Sequence, residues 1–94
     1  MAYDPSSGRW KTTAYFDSET ARKHPRVRLE HCVEALEAEI RREVQPDQRI
    51  RVWGFSVSRG HVLRVILEPD GVTIHTGFED RNEERRLARL KETP

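Results

Sequence analysis

Two short connectors govern what this chain can fold into. Ser58-Arg59-Gly60 and Pro69-Asp70-Gly71 separate three runs rich in β-branched, aliphatic and aromatic residues, at 49–57, 61–68 and 72–78. Each connector has three residues with glycine last, which suits a type I turn closed by a residue in the left-handed region. Two such turns in succession predict a three-stranded antiparallel meander. Three-residue loops would pair Val57 with His61 and Glu68 with Val72.

In that register one face carries Trp53, Phe55, Val57, Leu63, Val65 and Leu67, together with Arg51, His61, Thr73 and His75. This face is expected to seat a helix. The other carries Val52, Gly54, Ser56, Val62, Arg64, Ile66, Ile74, Thr76 and Phe78. Arg64 then stands opposite Thr76 on one neighbour and Gly54 on the other, with Ser56 nearby. An arginine flanked by glycine and hydroxyls can receive an anion. Equally, its stem can cover apolar surface while its head reaches water. A one-residue slip would dismantle the cluster, because alternate residues exchange faces.

Upstream, Leu29, Val33, Leu36, Ile40 and Val44 follow one helical stripe. The spacing predicts a long amphipathic helix over 26–44, ended by Gln45-Pro46-Asp47 because proline cannot continue it. Residues 10–16 (WKTTAYF) suit a short edge strand, and Asp17 and Ser18 offer N-cap chemistry for a helical turn that Pro25 interrupts. Asp80 can cap a short C-terminal helix with Glu83 and Glu84 in its first turn and arginines later, as the helix dipole favours. The fold class is therefore α+β: a long amphipathic helix packed on a small antiparallel sheet, made of a three-stranded meander with an N-terminal edge strand, and a short C-terminal helix. A flexible lead-in over residues 1–9 precedes one domain at 10–94.

The 17 lysines and arginines nearly cancel 16 acidic residues, for a net charge of +1. Strongly basic domains declare nucleic acid or anionic membrane as partner. This chain does not, so any polyanion must be held by a local patch. The lone Cys32 has no internal disulfide partner, which points to a reducing compartment. No run approaches the roughly 18 apolar residues of a membrane span, and the start MAYDPSSGRW lacks the apolar core of a secretory signal. The cytoplasm is the expected location.

Five of the seven residues from Arg22 to Arg28 are basic or can become so. They precede a helix, whose free N–H groups favour anions, so a phosphate-binding corner is one reading and solvated charge at a helix start the other. His24 stands out within it, since histidine can take or give a proton near neutral pH. His31, His61 and His75 lack the spacing of a zinc site, and Cys32, beside the apolar stripe, suits a buried small hydrophobe. No metal or cofactor is expected.

The order of elements, with His24-Pro25-Arg26-Val27, Gln45-Pro46-Asp47 and Thr76-Gly77-Phe78, resembles the barnase–EndoU–colicin–RelE superfamily of small nucleases, often toxin-like or phage-borne. Phe78 stands where the branch in question usually has tyrosine. Tyr15-Phe16-Asp17, Lys23-His24-Pro25 and residues 81–86 are similar to stretches of the BrnT toxins. The resemblance implies an endoribonuclease that needs no metal, because RNA supplies its own nucleophile, the 2′-hydroxyl. On matching positions His24 would be a general acid or base, Arg64 would neutralise phosphate charge and Thr76 would hydrogen-bond the scissile phosphate. Arg26, Arg28, Arg51 and Arg81 would contact the RNA backbone. The alternative is a catalytically inactive protein-binding module of the same fold. An antitoxin or another protein is a candidate partner, as is a second copy meeting an exposed edge at 49–57 or 10–16.

Overall fold

The structure, a computed structural model, describes residues 9–92. All of the expected lead-in except Arg9 lies outside the described residues. Five strands form one mixed sheet: β1 (Lys11–Thr12), β2 (Glu39–Val44), β3 (Ile50–Ser56), β4 (His61–Leu67) and β5 (Thr73–Glu79). Their order is β1-β5-β4-β3-β2. β1 runs parallel to β5, and every other pair is antiparallel. A π-helical turn, Phe16–Thr20, leads into α1 (Ala21–Lys23). Helix α2 (Leu29–Glu37) precedes β2, and α3 (Arg81–Glu92) closes the described chain. The α+β class, the meander β3-β4-β5, the N-terminal edge strand and the C-terminal helix are all present. Among the described residues no helix is long and apolar enough to cross a membrane.

The long helix is not. Helix α2 stops at Glu37, and Ala38 leaves helical geometry at φ −113, ψ 46. Residues 39–44 then form β2, which pairs with β3. Ile40 and Val44, expected on a buried helical stripe, are exposed. The reason is a competition that periodicity does not register. A helix through residue 44 would leave the outer backbone of β3 unpaired, whereas a strand satisfies it. Gln45-Pro46-Asp47 accordingly belongs to a hairpin turn, closed by the Gln45 N–H to Arg49 O bond at 2.8 Å and by Gln48 at φ 73. Strand β3 is thus interior, and the edges are β2 and β1. The N-terminal strand is also shorter than expected. Its helical continuation is capped by Thr13, whose Oγ1 accepts the Phe16 N–H at 3.1 Å, while Asp17 and Ser18 lie inside the turn.

The hairpin register differs too. Ser56, not Val57, pairs with His61, so the first loop has one more residue than expected and β3 presents its other face to the helix. Both loop glycines hold positive φ as anticipated, 69 at Gly60 and 76 at Gly71. The second loop is also longer, with the Glu68 N–H donating to Thr73 O, and an irregularity next to Leu67 shifts β5 once more. Arg64 is therefore opposite Trp53 and Phe78, with Thr76 opposite Ile66. Gly54 and Ser56 lie on the other side of the sheet, under α2, so the expected grouping of Arg64 with them does not form.

Helix α2 packs on Val52, Leu63, Val65, Leu67 and Ile74, through Cys32, Ala35 and Leu36, with Phe16 and Val27 completing the core. Two glycines let it come close. A Cβ on Gly54 would collide with the Ala35 carbonyl, and one on Gly77 would stand 2.5 Å from Cys32 Sγ. Backbone cannot step aside as a side chain can. Gly54→Ala is therefore expected to lose on the order of 3 kcal/mol of stability. Gly60→Ala, in open space but at positive φ, should lose roughly 1 kcal/mol. Urea unfolding of both variants checks the order, and equal losses would contradict the close helix–sheet approach.

Candidate functional site

The helical segment after β1 runs along the part of β5 that β1 leaves uncovered. Three contacts mark its course. Tyr15 stacks on His75 with ring centroids 4.7 Å apart, the Thr20 and Thr76 hydroxyls share a 2.8 Å hydrogen bond, and His24 stacks on Phe78 at 5.5 Å. His24 ends α1, donating its N–H to Thr20 O at 2.8 Å, and Pro25 turns the chain there. Its imidazole is thereby laid against the aromatic ring of β5.

Arg64 reaches the same ring from β4, with its guanidinium carbon 5.1 Å from the Phe78 centroid. His24, Arg64 and Phe78 line a cleft of about 450 Å³ together with Lys23, Arg26, Arg81, Asn82, Glu79 and Asp80. Cationic or protonatable groups thus outnumber carboxylates around this opening.

Behind it lies a buried carboxylate. Asp80 Oδ2 accepts from Trp53 Nε1 at 2.9 Å and from Arg64 Nε and Nη2 at 3.0 and 2.9 Å. Its Oδ1 accepts the Glu83 N–H at 3.0 Å, the cap expected for α3. Burial would raise the Asp80 carboxyl, but the Trp53 N–H, the α3 amide and Arg64 together hold it below the usual range. Next to it, Arg41 lies over the Trp53 ring at 3.7 Å and forks onto Glu83, which Arg86 grips from the other side. These bonds from Arg86 and Arg41 bring the Glu83 carboxyl down to about 2.

Of the residues expected to act, His24, Arg64, Arg26 and Arg81 line the cleft. Thr76 shares the sheet face of Arg64 but spends its hydroxyl on Thr20. Arg28 lines a separate shallow depression with His31 and Arg59. Arg51 lies 5.7 Å from the Trp53 ring centroid and 3.6 Å from Glu43, and it does not line the cleft. His61 and His75, expected toward the core, are half-buried beside carboxylates, with Nδ1 2.9 Å from Glu84 and 3.1 Å from Glu68 respectively. Lys23 belongs to the basic stretch at 22–28, whereas sequence reasoning missed Phe78 as a lining group and the pairing of Asp80 with Arg64. The Asp80 cap was the available signal, since a residue directly after a strand that caps the next helix must lie near that strand's cross-strand neighbours.

Comparison with protein-family models, with curated proteins and with solved structures finds no match. The site must therefore be read from its own groups. Among the described residues no cluster of three or more His, Cys, Asp or Glu side chains is placed to hold a metal ion. Cys32 is buried, and burial pushes its thiol up to about 12, leaving it protonated at neutral pH. What remains is a protonatable imidazole held on an aromatic ring, with an arginine beside it.

The depressed Asp80 and Glu83 carboxyls contribute stability that is present above their unfolded-state values, and it is lost as pH falls through their folded ones. Melting temperature should therefore decline as pH drops from about 4.5 toward 2. Glu83→Gln should flatten that decline while lowering the plateau near neutrality. An unchanged acid limb in the variant would remove Glu83 from this role.

Proposed function

We propose that the chain is an endoribonuclease of toxin or phage type, with the His24–Phe78–Arg64 cleft as its site. One observation carries the reading: a histidine and an arginine from distant parts of the chain flank a single aromatic ring in an opening rimmed by Lys23, Arg26 and Arg81. A net charge of +1 provides no general attraction for RNA, so a local collection of cations is what such an enzyme would need. The resemblance to small nucleases points to the same histidine.

In this reading the 2′-hydroxyl attacks the adjacent phosphorus and the 5′-oxygen leaves. His24 moves one proton, taking it from the 2′-hydroxyl or delivering it to the leaving oxygen, and solvent water carries the other. Phe78 restricts the tilt of the imidazole. Arg64 offsets charge that accumulates on the phosphate oxygens. Asp80 engages its Nε and Nη2, which leaves Nη1 outside that pairing for a phosphate contact. Thr76 acts as a positioning residue: bonded to Thr20, it secures the segment that ends at His24.

A second reading, a binding protein without catalysis, draws on a different surface. A groove of about 620 Å³ runs between α3 and the sheet, lined by Ile40, Phe55, Val62, Leu87 and Leu90. Exposed apolar area of this kind often marks a protein contact.

RNA integrity in bacteria expressing the wild type or His24→Ala at equal protein levels separates the two. The nuclease reading expects RNA breakdown and growth arrest with the wild type alone, and a melting temperature for His24→Ala within a few degrees of it. Intact RNA with both folded proteins would favour the binding module. A collapsed melting temperature in His24→Ala would instead make His24 a structural residue.

A further inference from the structure

We propose that β2 is the contact strand of a homodimer, in which two copies of this chain pair their β2 edges antiparallel about a two-fold axis through Arg42. Strand β2 is last in the sheet order, so among the described residues no strand lies beside its outer edge. The hydrogen-bond pattern fixes which groups that edge offers. The Gln45 N–H bonds Arg49 O at 2.8 Å, and bonded pairs alternate along an antiparallel ladder. Glu43–Arg51 and Arg41–Trp53 are then the inward-bonded pairs in the observed register. Arg42 and Val44 direct their N–H and C=O groups outward, where a second strand can take them.

An axis through Val44 overlaps only the end of β2, setting Arg42 against Pro46 in the turn, and charge then selects among the two-fold arrangements that use the length of the strand. An axis through Arg41 sets Arg41 against its own copy, and an axis through Glu43 does the same for Glu43. Both place like charges directly opposite each other in the close non-bonded positions and leave Arg41 without Glu43 across from it, which is unfavourable. An axis through Arg42 instead sets Arg41 opposite Glu43 of the second copy, twice over, in the close non-bonded positions. Arg41 and Glu43 share one face of the sheet, 3.5 Å apart within one chain, so the second copy extends this pair into a four-membered alternation, and Glu83 already holds Arg41 in place. Arg42 does meet its own copy, but each Arg42 is forked onto Glu39 of its own chain at 2.9 and 2.6 Å. The exposed Val44, at 66%, acquires a neighbouring strand. Charged side chains on an edge usually deter pairing. On β2 they deter the wrong registers and favour one.

Sedimentation of the full chain over a concentration series should give twice the chain mass for the wild type. Glu43→Arg, which converts both cross-strand pairs to like charges, should give the monomer with an unchanged circular dichroism spectrum. Mild oxidation should link Arg42→Cys into a disulfide dimer, because the two copies of residue 42 lie opposite each other. It should not link Glu43→Cys, whose copies would stand about 8 Å apart, beyond disulfide reach. The native Cys32 is fully buried and does not interfere. A wild type that stays monomeric, a dimer indifferent to Glu43→Arg, or linkage at 43 rather than 42 would each overturn the proposal.

Discussion

Helix α2 lies so close to the sheet that at Gly54 there is room for no side chain at all. Most of the molecule follows from that approach. It lets small residues, Cys32 and Ala35, face the strands while Leu36 and Val52 fill the flanks. It also brings Val27, just upstream of the helix, into the same core. Val27 and Phe16 are therefore the two apolar anchors of the segment between β1 and α2, with buried Thr20 bonded to Thr76 between them, and His24 lies against β5 in the same stretch. The position of the cleft is thus a consequence of helix–sheet distance.

The parts of this architecture legible from residues are those where local chemistry decides alone. Glycine at the end of two polar connectors marks both meander turns, and Asp80 before an acidic first turn marks the start of α3. The stripe at Leu29, Val33 and Leu36 gives α2. Illegible were the features that a distant partner decides. Ile40 and Val44 continue the stripe, but β3 needs an outer neighbour and takes residues 39–44 as a strand. The loop lengths look the same whether Val57 ends a strand or begins a turn, yet that choice reverses the face on which Trp53 lies. His24 and Arg64 could be singled out by type and surroundings. Their shared ring could not, because only the true register sets Phe78 across from Arg64.

The Trp53 side of the sheet is covered by charge rather than by a second apolar layer. Arg41, Arg51 and Arg64 lie within 3.7 to 5.7 Å of the Trp53 centroid, and Asp80 and Glu83 balance them from the start of α3. Flat guanidinium groups cover a ring well because they stack on it while bonding carboxylates at their edges. Trp53 is 3% exposed under this cover. A helix as polar as α3 can dock on a sheet by this means, since its contacts there are ion pairs and a cap. Arg64 thus belongs both to this cover and to the cleft, which ties the seating of α3 to the electrostatics around His24.

The π-helical turn at Phe16–Thr20 gives the segment a tolerance that a plain helix lacks. Such a turn holds one residue more than an α-turn. The extra residue is accommodated without breaking the helix, since α1 follows directly at Ala21. Losing that residue would rotate the rest of the helical segment by roughly 100° about its axis, carrying Thr20 away from Thr76 and the imidazole off its ring. Chain length across five residues therefore acts as a setting screw for a side chain several positions further on.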